Sequence, residues 1–335
     1  MLNYTITLEV LTPVYIGNGN SISKKDFEIK GNRANIYDPI KLYSIFGNRY
    51  EEFLMNPYSL TDYLSRNKAN NIEKALKYSV YCGNSNIRKS DGIMEFIKDP
   101  YGCPYIPGSS LKGVLRTAIL SYKIREKNSY EYKKDPISRG ANRIEKELLG
   151  DTSNSLFRHI RISDSMPLSA DDLILCKKTD VFKNGSPKSL NICREALKTG
   201  TEIKFHMTID ETDNVSHKKM LQADYIMNSI REFTRQYQDN YLRKFSTYDG
   251  VKYGEEIIYL GGGTGFLTKT VNHAIYGNEA LKNIAYYLDG RFKRHNHKKD
   301  IALGVSPRAM KCTIVNHKTI EMGICRIRIE QNETV

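Results

Sequence analysis

The run Gly261-Gly262-Gly263-Thr264-Gly265 follows the apolar stretch Ile257-Ile258-Tyr259-Leu260, and its residue types suit it to holding a phosphate. A strand that ends in such a loop brings its backbone close to a ligand and presents several N–H donors, which phosphate oxygens accept well. Lys269 is near enough in sequence to add positive charge. The phosphate loop of nucleotide-hydrolysing enzymes needs Lys-Ser/Thr directly after its last glycine, and here Phe266-Leu267 follow. The dinucleotide fingerprint needs a third glycine at fixed spacing early in a βαβ unit, and that is missing. The competing reading is a flexible turn.

A second segment carries more. Pro107-Gly108-Ser109 precedes Leu111, Val114, Leu115, Ala118 and Ile119, whose helical spacing defines one apolar face, with Ser109 as the natural N-cap. Lys112 and Arg116 then fall at i and i+4, on one face of the first two turns. The positive end of a helix dipole favours carboxylates, so two cations there are locally unfavourable. An anion at the helix start, using the free N–H groups, offsets that cost. Gly113 lowers helix propensity by about 1 kcal/mol, a concession that close backbone approach would explain. The competing reading is a solvated basic face.

Catalytic chemistry is less well supplied. The seven histidines show no catalytic or metal spacing, and His295-Asn296-His297 sits in a basic run, Arg294 to Lys299. Asp26 follows Lys24-Lys25 at the start of an expected strand; such a carboxylate could assist 2′-hydroxyl attack as a general base, or form a surface ion pair. The six cysteines are scattered with no C-x-x-C pair, which argues against both a zinc site and a disulfide framework. There are 23 tyrosines, 11 phenylalanines and no tryptophan, so stacking on bases is available, although many of these rings belong to a core.

The elements that position these groups can be traced in outline. Tyr4, Ile6, Leu8 and Val10 alternate with polar residues as a half-buried strand, and Gly17-Asn18-Gly19 makes a loop. Phe27 and Ile29 face Ala34 and Ile36 across a hairpin, and Asp38-Pro39 opens a helix through about Phe46. Residues 51–90 show no strand alternation and read as a helical insertion, with a short strand at Met94 to Ile97. Residues 123–150 read as a mobile loop followed by a helix. The second half offers strands at Phe157 to Ser163, Leu173 to Cys176, Ile203 to Ile209, Ile257 to Leu260 and Gly323 to Glu330. A long amphipathic helix covers Lys218 to Phe245, with Leu221, Tyr225, Asn228, Ile230 and Phe233 near its buried side. The expectation is an α+β protein of two units with antiparallel sheets, residues 1–150 and 151–335.

With 335 residues, 40% of them hydrophobic and 27% charged, the chain can bury a substantial core. Its net charge of +13 calls for a polyanionic partner, nucleic acid or an anionic membrane surface. No stretch approaches the roughly 18 continuous apolar residues of a membrane span, and MLNYTITLEV enters strand alternation without the features of a secretion signal. The basic residues are spread over glycine-rich segments instead of along one amphipathic helix, which favours nucleic acid and a cytoplasmic location.

Three segments together resemble one family. Thr12-Pro13-Val14-Tyr15-Ile16-Gly17-Asn18-Gly19 looks like the amino-terminal signature of the RAMP superfamily. Tyr105-Ile106-Pro107-Gly108-Ser109-Ser110-Leu111-Lys112-Gly113-Val114-Leu115-Arg116-Thr117 is similar to its central motif, and Leu260 to Phe266 to its carboxy-terminal glycine-rich loop. Within the superfamily the chain resembles the fifth Csm subunit of type III-A CRISPR–Cas effector complexes, whose tail pattern is matched by Pro307-Arg308-Ala309-Met310-Lys311 and Glu321-Met322-Gly323-Ile324-Cys325. Residues 45–95 and 125–155 add little to the likeness.

The resemblance implies two ferredoxin-like (RRM-like) domains and a non-catalytic subunit bound to the 3′ portion of the crRNA. It implies packing against the repeated backbone subunit among other Csm subunits, with target RNA engaged only indirectly. It also implies a part in crRNA maturation and antiviral defence, with a host nuclease doing the trimming. No cofactor and no metal are implied. The RNA-binding set that follows is Gly17, Asn18, Gly19, Lys24, Lys25, Ser109, Ser110, Lys112, Gly113, Arg116, Gly261, Gly262, Gly263, Thr264, Gly265, Lys269, Arg308 and Lys311. Two enzymes compete with this reading: an endoribonuclease cutting precursor crRNA with His273 as its base, and a backbone-type subunit cutting target RNA through Asp26.

Overall fold

The computed structural model describes residues 1–67, 70–82, 87–88, 91–127, 132, 137–151, 153–212, 214–245 and 253–332. Strand β1 (Leu2–Val10) comes first, followed by β2 (Gly17–Ile22) and the hairpin β3 (Phe27–Lys30) and β4 (Arg33–Tyr37). Phe27 pairs with Ile36 and Ile29 with Ala34, as the alternation of the sequence requires. Helix α1 (Pro39–Phe46) starts where Asp38 accepts the backbone N–H groups of Ile40 and Lys41, with Pro39 needing no such partner. Helices α2 (Asn48–Met55) and α3 (Leu60–Arg66) complete the expected insertion, which has its own small core of Tyr37, Leu42, Tyr50, Phe53, Leu60 and Ala75.

The helical expectation for 51–90 fails in its second half, where Leu76–Tyr81 forms strand β5. Only Val80 of that strand is buried; its stability comes from pairing with β4 instead of from one apolar face, so no alternation shows in the sequence. Strand β6 (Gly92–Phe96) leads to α4 (Gly108–Lys127) and α5 (Ile137–Leu149). Of the loop expected between these helices, all but Tyr132 lies outside the described residues.

The later chain adds β7 (Ile160–Ile162), the long hairpin β8 (Leu173–Phe182) and β9 (Pro187–Leu197), and β10 (Glu202–Ile209). The single helix expected over 218–245 is α6 (Val215–Met220), α7 (Ala223–Asn240) and a final short turn, because Gln222 is extended between the two helices. Asn228 points to solvent, not to the core. Next come β11 (Ile257–Tyr259), α8 (Asn272–Tyr276), α9 (Ala280–Arg291), α10 (Asp300–Leu303), the hairpin β12 (Ala309–Val315) and β13 (Lys318–Glu321), and β14 (Ile324–Gln331).

Two sheets result. The first has the order β11-β14-β1-β10-β7. Taken in chain order, β1-α4-β7-β10-α7-β11 is a βαββαβ unit of ferredoxin-like type, with β14 slotted between its first and last strands. Helices α4 and α7 pack together on it, Tyr122 meeting Tyr225 edge to face at 5.1 Å between ring centres. The second sheet, β2-β6-β9-β8-β5-β4-β3 with the β12–β13 hairpin joined to β8, is built from the segments that lie between strands of the first. Its pairings are antiparallel except β5 with β8 and β6 with β9, which are parallel. Both sheets draw strands from either side of residue 150.

Candidate nucleic-acid interface

Three stretches far apart in sequence are sewn together at one end of the first sheet. The Ile324 N–H donates to Thr12 Oγ1 at 2.9 Å, and the Gly323 N–H to the Pro13 carbonyl at 2.8 Å. The Leu260 N–H donates to the Gly323 carbonyl and the Gly262 N–H to the Tyr15 carbonyl, both at 2.7 Å. Space dictates glycine here. A Cβ on Gly261, whose φ is +86°, would lie 2.3 Å from the Tyr15 carbonyl oxygen, and one on Gly323 would lie 2.3 Å from Thr264 Cγ2.

The glycine loop is therefore a fixed object, not the flexible turn of the competing reading. Thr264 donates its hydroxyl to the Gly261 carbonyl at 3.1 Å, and the Thr268 hydroxyl lies 2.9 Å from Thr264 Oγ1 and 3.2 Å from the Gly265 carbonyl. Between this loop and the first turns of α4 opens a cleft of about 320 Å³, lined by Ser109, Ser110, Gly113 and Thr117 on one side and by Tyr259, Gly261, Thr268 and Lys269 on the other. Two segments chosen from sequence for phosphate binding thus face each other.

The start of α4 differs in detail from expectation. The helix opens at Gly108, so Ser109 is inside it; the Gly108 N–H is held by Asp164 Oδ1 at 2.8 Å. A Cβ on Gly108 would strike the carbonyls of Ile162 and Ser163 at 2.3 Å, which fixes glycine at the point where helix meets β7. Lys112 and Arg116 share a face, as their spacing requires, but it is not the face lining the cleft. Arg116 pairs with Glu145 of α5 at 3.2 Å and lies over the Phe157 ring at 5.0 Å. Lys112 has no carboxylate partner among the described residues, and burial, then Arg116, lowers its pKa.

The remaining residues of the expected set divide. Gly17, Asn18 and Gly19 are exposed at the start of edge strand β2, with Asn18 donating to Glu95 at 2.9 Å. Lys24 and Lys25 turn toward the helical insertion: Lys24 donates to the Pro57 carbonyl, and Lys25 to those of Phe53 and Asn56, with its ammonium 4.0 Å from the Phe53 ring centre. Arg308 holds the carbonyls of His295 and Asn296 and pairs with the buried Asp300 at 3.3 Å. Asp300 also receives Ser306 and sits 2.8 Å from His297 Nδ1, so this basic run is organised around a buried carboxylate. Lys311 pairs with Asp180 at 2.8 Å.

Sequence reasoning passed over Arg194 on β9. Its guanidinium lies 5.2 Å from the Tyr15 ring centre, against the glycine loop. The available signal was a lone arginine in a segment to which the sequence assigned no element. Neither residue named by the enzyme readings lines the cleft. Asp26 accepts the Ser23 N–H of its own turn, and burial raises its pKa. Burial pushes the His273 imidazole down to about 4, too weak a base for efficient proton abstraction near neutral pH, and its Nε2 has no hydrogen-bond partner among the described residues. Among the described residues no group of three or more His, Cys, Asp or Glu side chains is placed to hold a metal ion, and no helix is long and apolar enough to cross a membrane.

The family model described as the RAMP superfamily matches residues 7–268, more than three quarters of the chain. This chain belongs to the RAMP superfamily. A curated relative from Mycobacterium tuberculosis, named CRISPR system Cms protein Csm5, is 27% identical over 98% of both chains. One of the same name from Streptococcus thermophilus is 27% identical over 80% of each. Among solved structures, a chain of a Csm–crRNA–target RNA ternary complex superimposes with a TM-score of 0.74 at 21% identity, covering 97% of this chain and all of that one. The crystal structure of T. onnurineus Csm5 gives 0.66 at 20% identity, covering 96% and 99%. The fold is that of these proteins: α+β, with two ferredoxin-like domains.

Proposed function

We propose that this chain is a non-catalytic, crRNA-binding subunit of a type III-A CRISPR effector complex, working in the cytoplasm. It holds the 3′ portion of the crRNA, packs against the backbone and other Csm subunits, and supports crRNA maturation while a separate host nuclease does the trimming. Target RNA is met indirectly, through pairing with the guide. The observation that carries the reading is the cleft where the rigid glycine loop faces the start of α4 with Lys269 at its rim, in a chain of net charge +13. The names of the curated relatives support the assignment to the effector complex. The glycines bring backbone N–H groups within reach of phosphates, and Ser109 and Ser110 add hydroxyl donors from the opposite wall.

The test is a denaturing gel of purified protein with labelled crRNA, with and without divalent metal, beside filter binding at several salt concentrations. Salt-sensitive binding without cleavage is expected. Lys269→Ala should weaken binding and reduce the log–log salt slope by up to about 0.7, whereas Arg116→Ala, off the cleft and already neutralised by Glu145, should do less. Discrete products lost in Asp26→Ala or His273→Ala would replace a scaffold with a nuclease.

A further inference from the structure

The second sheet presents a row of cations directly beneath the glycine loop. In the β8–β9 register Arg194 lies opposite Cys176, and in the β8–β12 register Lys311 lies opposite Asp180. Lys178 lies between those positions, where the register of β8 against β9 shifts, and it is close enough for the charges of Lys311 and Arg194 to act on it. The loop crosses this face closely. A Cβ on Gly263 would lie 2.7 Å from Arg194 Nη1, and one on Gly265 would lie 4.0 Å from Lys311 Cγ. Lys269 stands at the other end of the loop, on the cleft.

Four cations therefore converge on one loop, with Asp180 as the carboxylate among them, and Asp180 is already engaged by Lys311. Arg194 has no carboxylate within ion-pairing distance among the described residues. It rests on the Tyr15 ring and on Met322 Sδ, 3.8 Å from Nη1. Burial lowers the pKa of Arg194, and burial with neighbouring positive charge lowers those of Lys178 and Lys269. A half-buried guanidinium with no paired counter-charge is unfavourable unless a ligand supplies one. The planar guanidinium fork, with its donors held by stacking on Tyr15, suits a phosphodiester.

We infer that Tyr15 and Arg194, with Lys178, Lys269 and Lys311 around them, form a binding site for an RNA phosphodiester on the sheet side of the glycine loop. The site rests on the RNA-binding reading and extends it: the strand would be gripped on both sides of the loop, by α4 on one and by β9 on the other. The glycines at 262 and 263 then serve a packing purpose, since side chains there would displace Tyr15 and Arg194.

The experiment uses the full chain and its Arg194→Gln, Arg194→Lys and Lys178→Gln variants. Two readouts are taken: filter binding of single-stranded RNA across a salt series, and the shift in melting temperature caused by inorganic tripolyphosphate at constant ionic strength. Arg194→Gln should lose about tenfold in RNA affinity, reduce the salt slope by about 0.7, and abolish the tripolyphosphate shift. Arg194→Lys should restore the slope but only part of the affinity, because the bidentate fork is missing. Lys178→Gln should reduce the slope similarly, which keeps the inference testable if Arg194 variants fail to fold. Folded variants that bind RNA with wild-type affinity and slope overturn this site while leaving the RNA-binding reading intact. Wild-type protein that binds no RNA overturns both, and a tripolyphosphate shift lost in Arg194→Gln would then mark an anion site for some other polyanion.

Discussion

The same substitution, glycine to alanine, should act with opposite signs on the two walls of the cleft. At Gly261 the new methyl would enter 2.3 Å from the Tyr15 carbonyl oxygen and 2.8 Å from Ile16 Cδ1, on a backbone with φ of +86°. Alanine in that region costs roughly 1–3 kcal/mol in backbone strain. Overpacking against a fixed carbonyl adds roughly 1–3 kcal/mol. Parting the strands to relieve the clash breaks the 2.7 Å Gly262–Tyr15 hydrogen bond, worth about 1 kcal/mol. Gly261→Ala should therefore destabilise by about 4 kcal/mol. Gly113 is exposed in the interior of α4 with nothing within 4 Å of an added methyl, so Gly113→Ala should stabilise by up to about 1 kcal/mol. Urea unfolding followed by far-ultraviolet circular dichroism and by tyrosine fluorescence, which no tryptophan obscures, measures both as midpoint shifts. A Gly261→Ala protein within about 0.5 kcal/mol of wild type would mean that the loop is not held as described. A destabilised Gly113→Ala would do the same for the open wall.

Two further perturbations probe buried charge. Glu321 is buried beside Tyr237, Tyr241 and Cys312, and burial pushes its carboxyl up to about 8. Folding therefore favours its protonated form: its contribution is intact below the unfolded pKa near 4.5 and is lost as pH rises toward 8. Glu321→Gln should match wild type near pH 4.5 and exceed it by about 3 kcal/mol at pH 7, and a constant difference across that window would contradict the assignment. Glu195 is fully buried and receives Lys98 at 2.6 Å, the Tyr78 hydroxyl at 2.7 Å and the Phe96 N–H at 3.0 Å. Lys98→Met strands that carboxylate and should cost about 3–5 kcal/mol, much of which Lys98→Met with Glu195→Gln should restore; chemical denaturation of the single and double variants decides it.

What the sequence revealed was local. Strand β1, the β3–β4 hairpin and the Asp38-Pro39 helix start are each specified by residues close together in the chain. The glycine loop and the α4 motif were legible as chemistry because unusual residues cluster there. Their meeting across the cleft was not legible, since it depends on backbone bonds of Gly262 to Tyr15 and of Gly323 to Leu260 and Pro13. What that face of α4 meets was not legible for a related reason: i and i+4 spacing shows that Lys112 and Arg116 are neighbours but not which neighbour of the helix they meet, and Arg116 met Glu145. Arg194 stayed hidden because the outer half of β9, from Pro187 to Ile192, is largely exposed and carries no apolar alternation. The parallel pairings of β5 and β6 join strands roughly a hundred residues apart, beyond the reach of any turn signal.

The slot that β14 occupies between β1 and β11 has a consequence for synthesis. Tyr4 to Val10 leave the ribosome long before their partners on one edge, Cys325 to Gln331. At roughly 5–20 residues per second, that edge stays open for roughly 15–60 s in each copy made. An unpaired strand rich in Tyr, Ile, Leu and Val is a template for any other extended chain nearby. Production, more than the finished fold, is thus the stage at which this protein is exposed to mispairing, and slowed translation or a crowded polysome would lengthen that exposure.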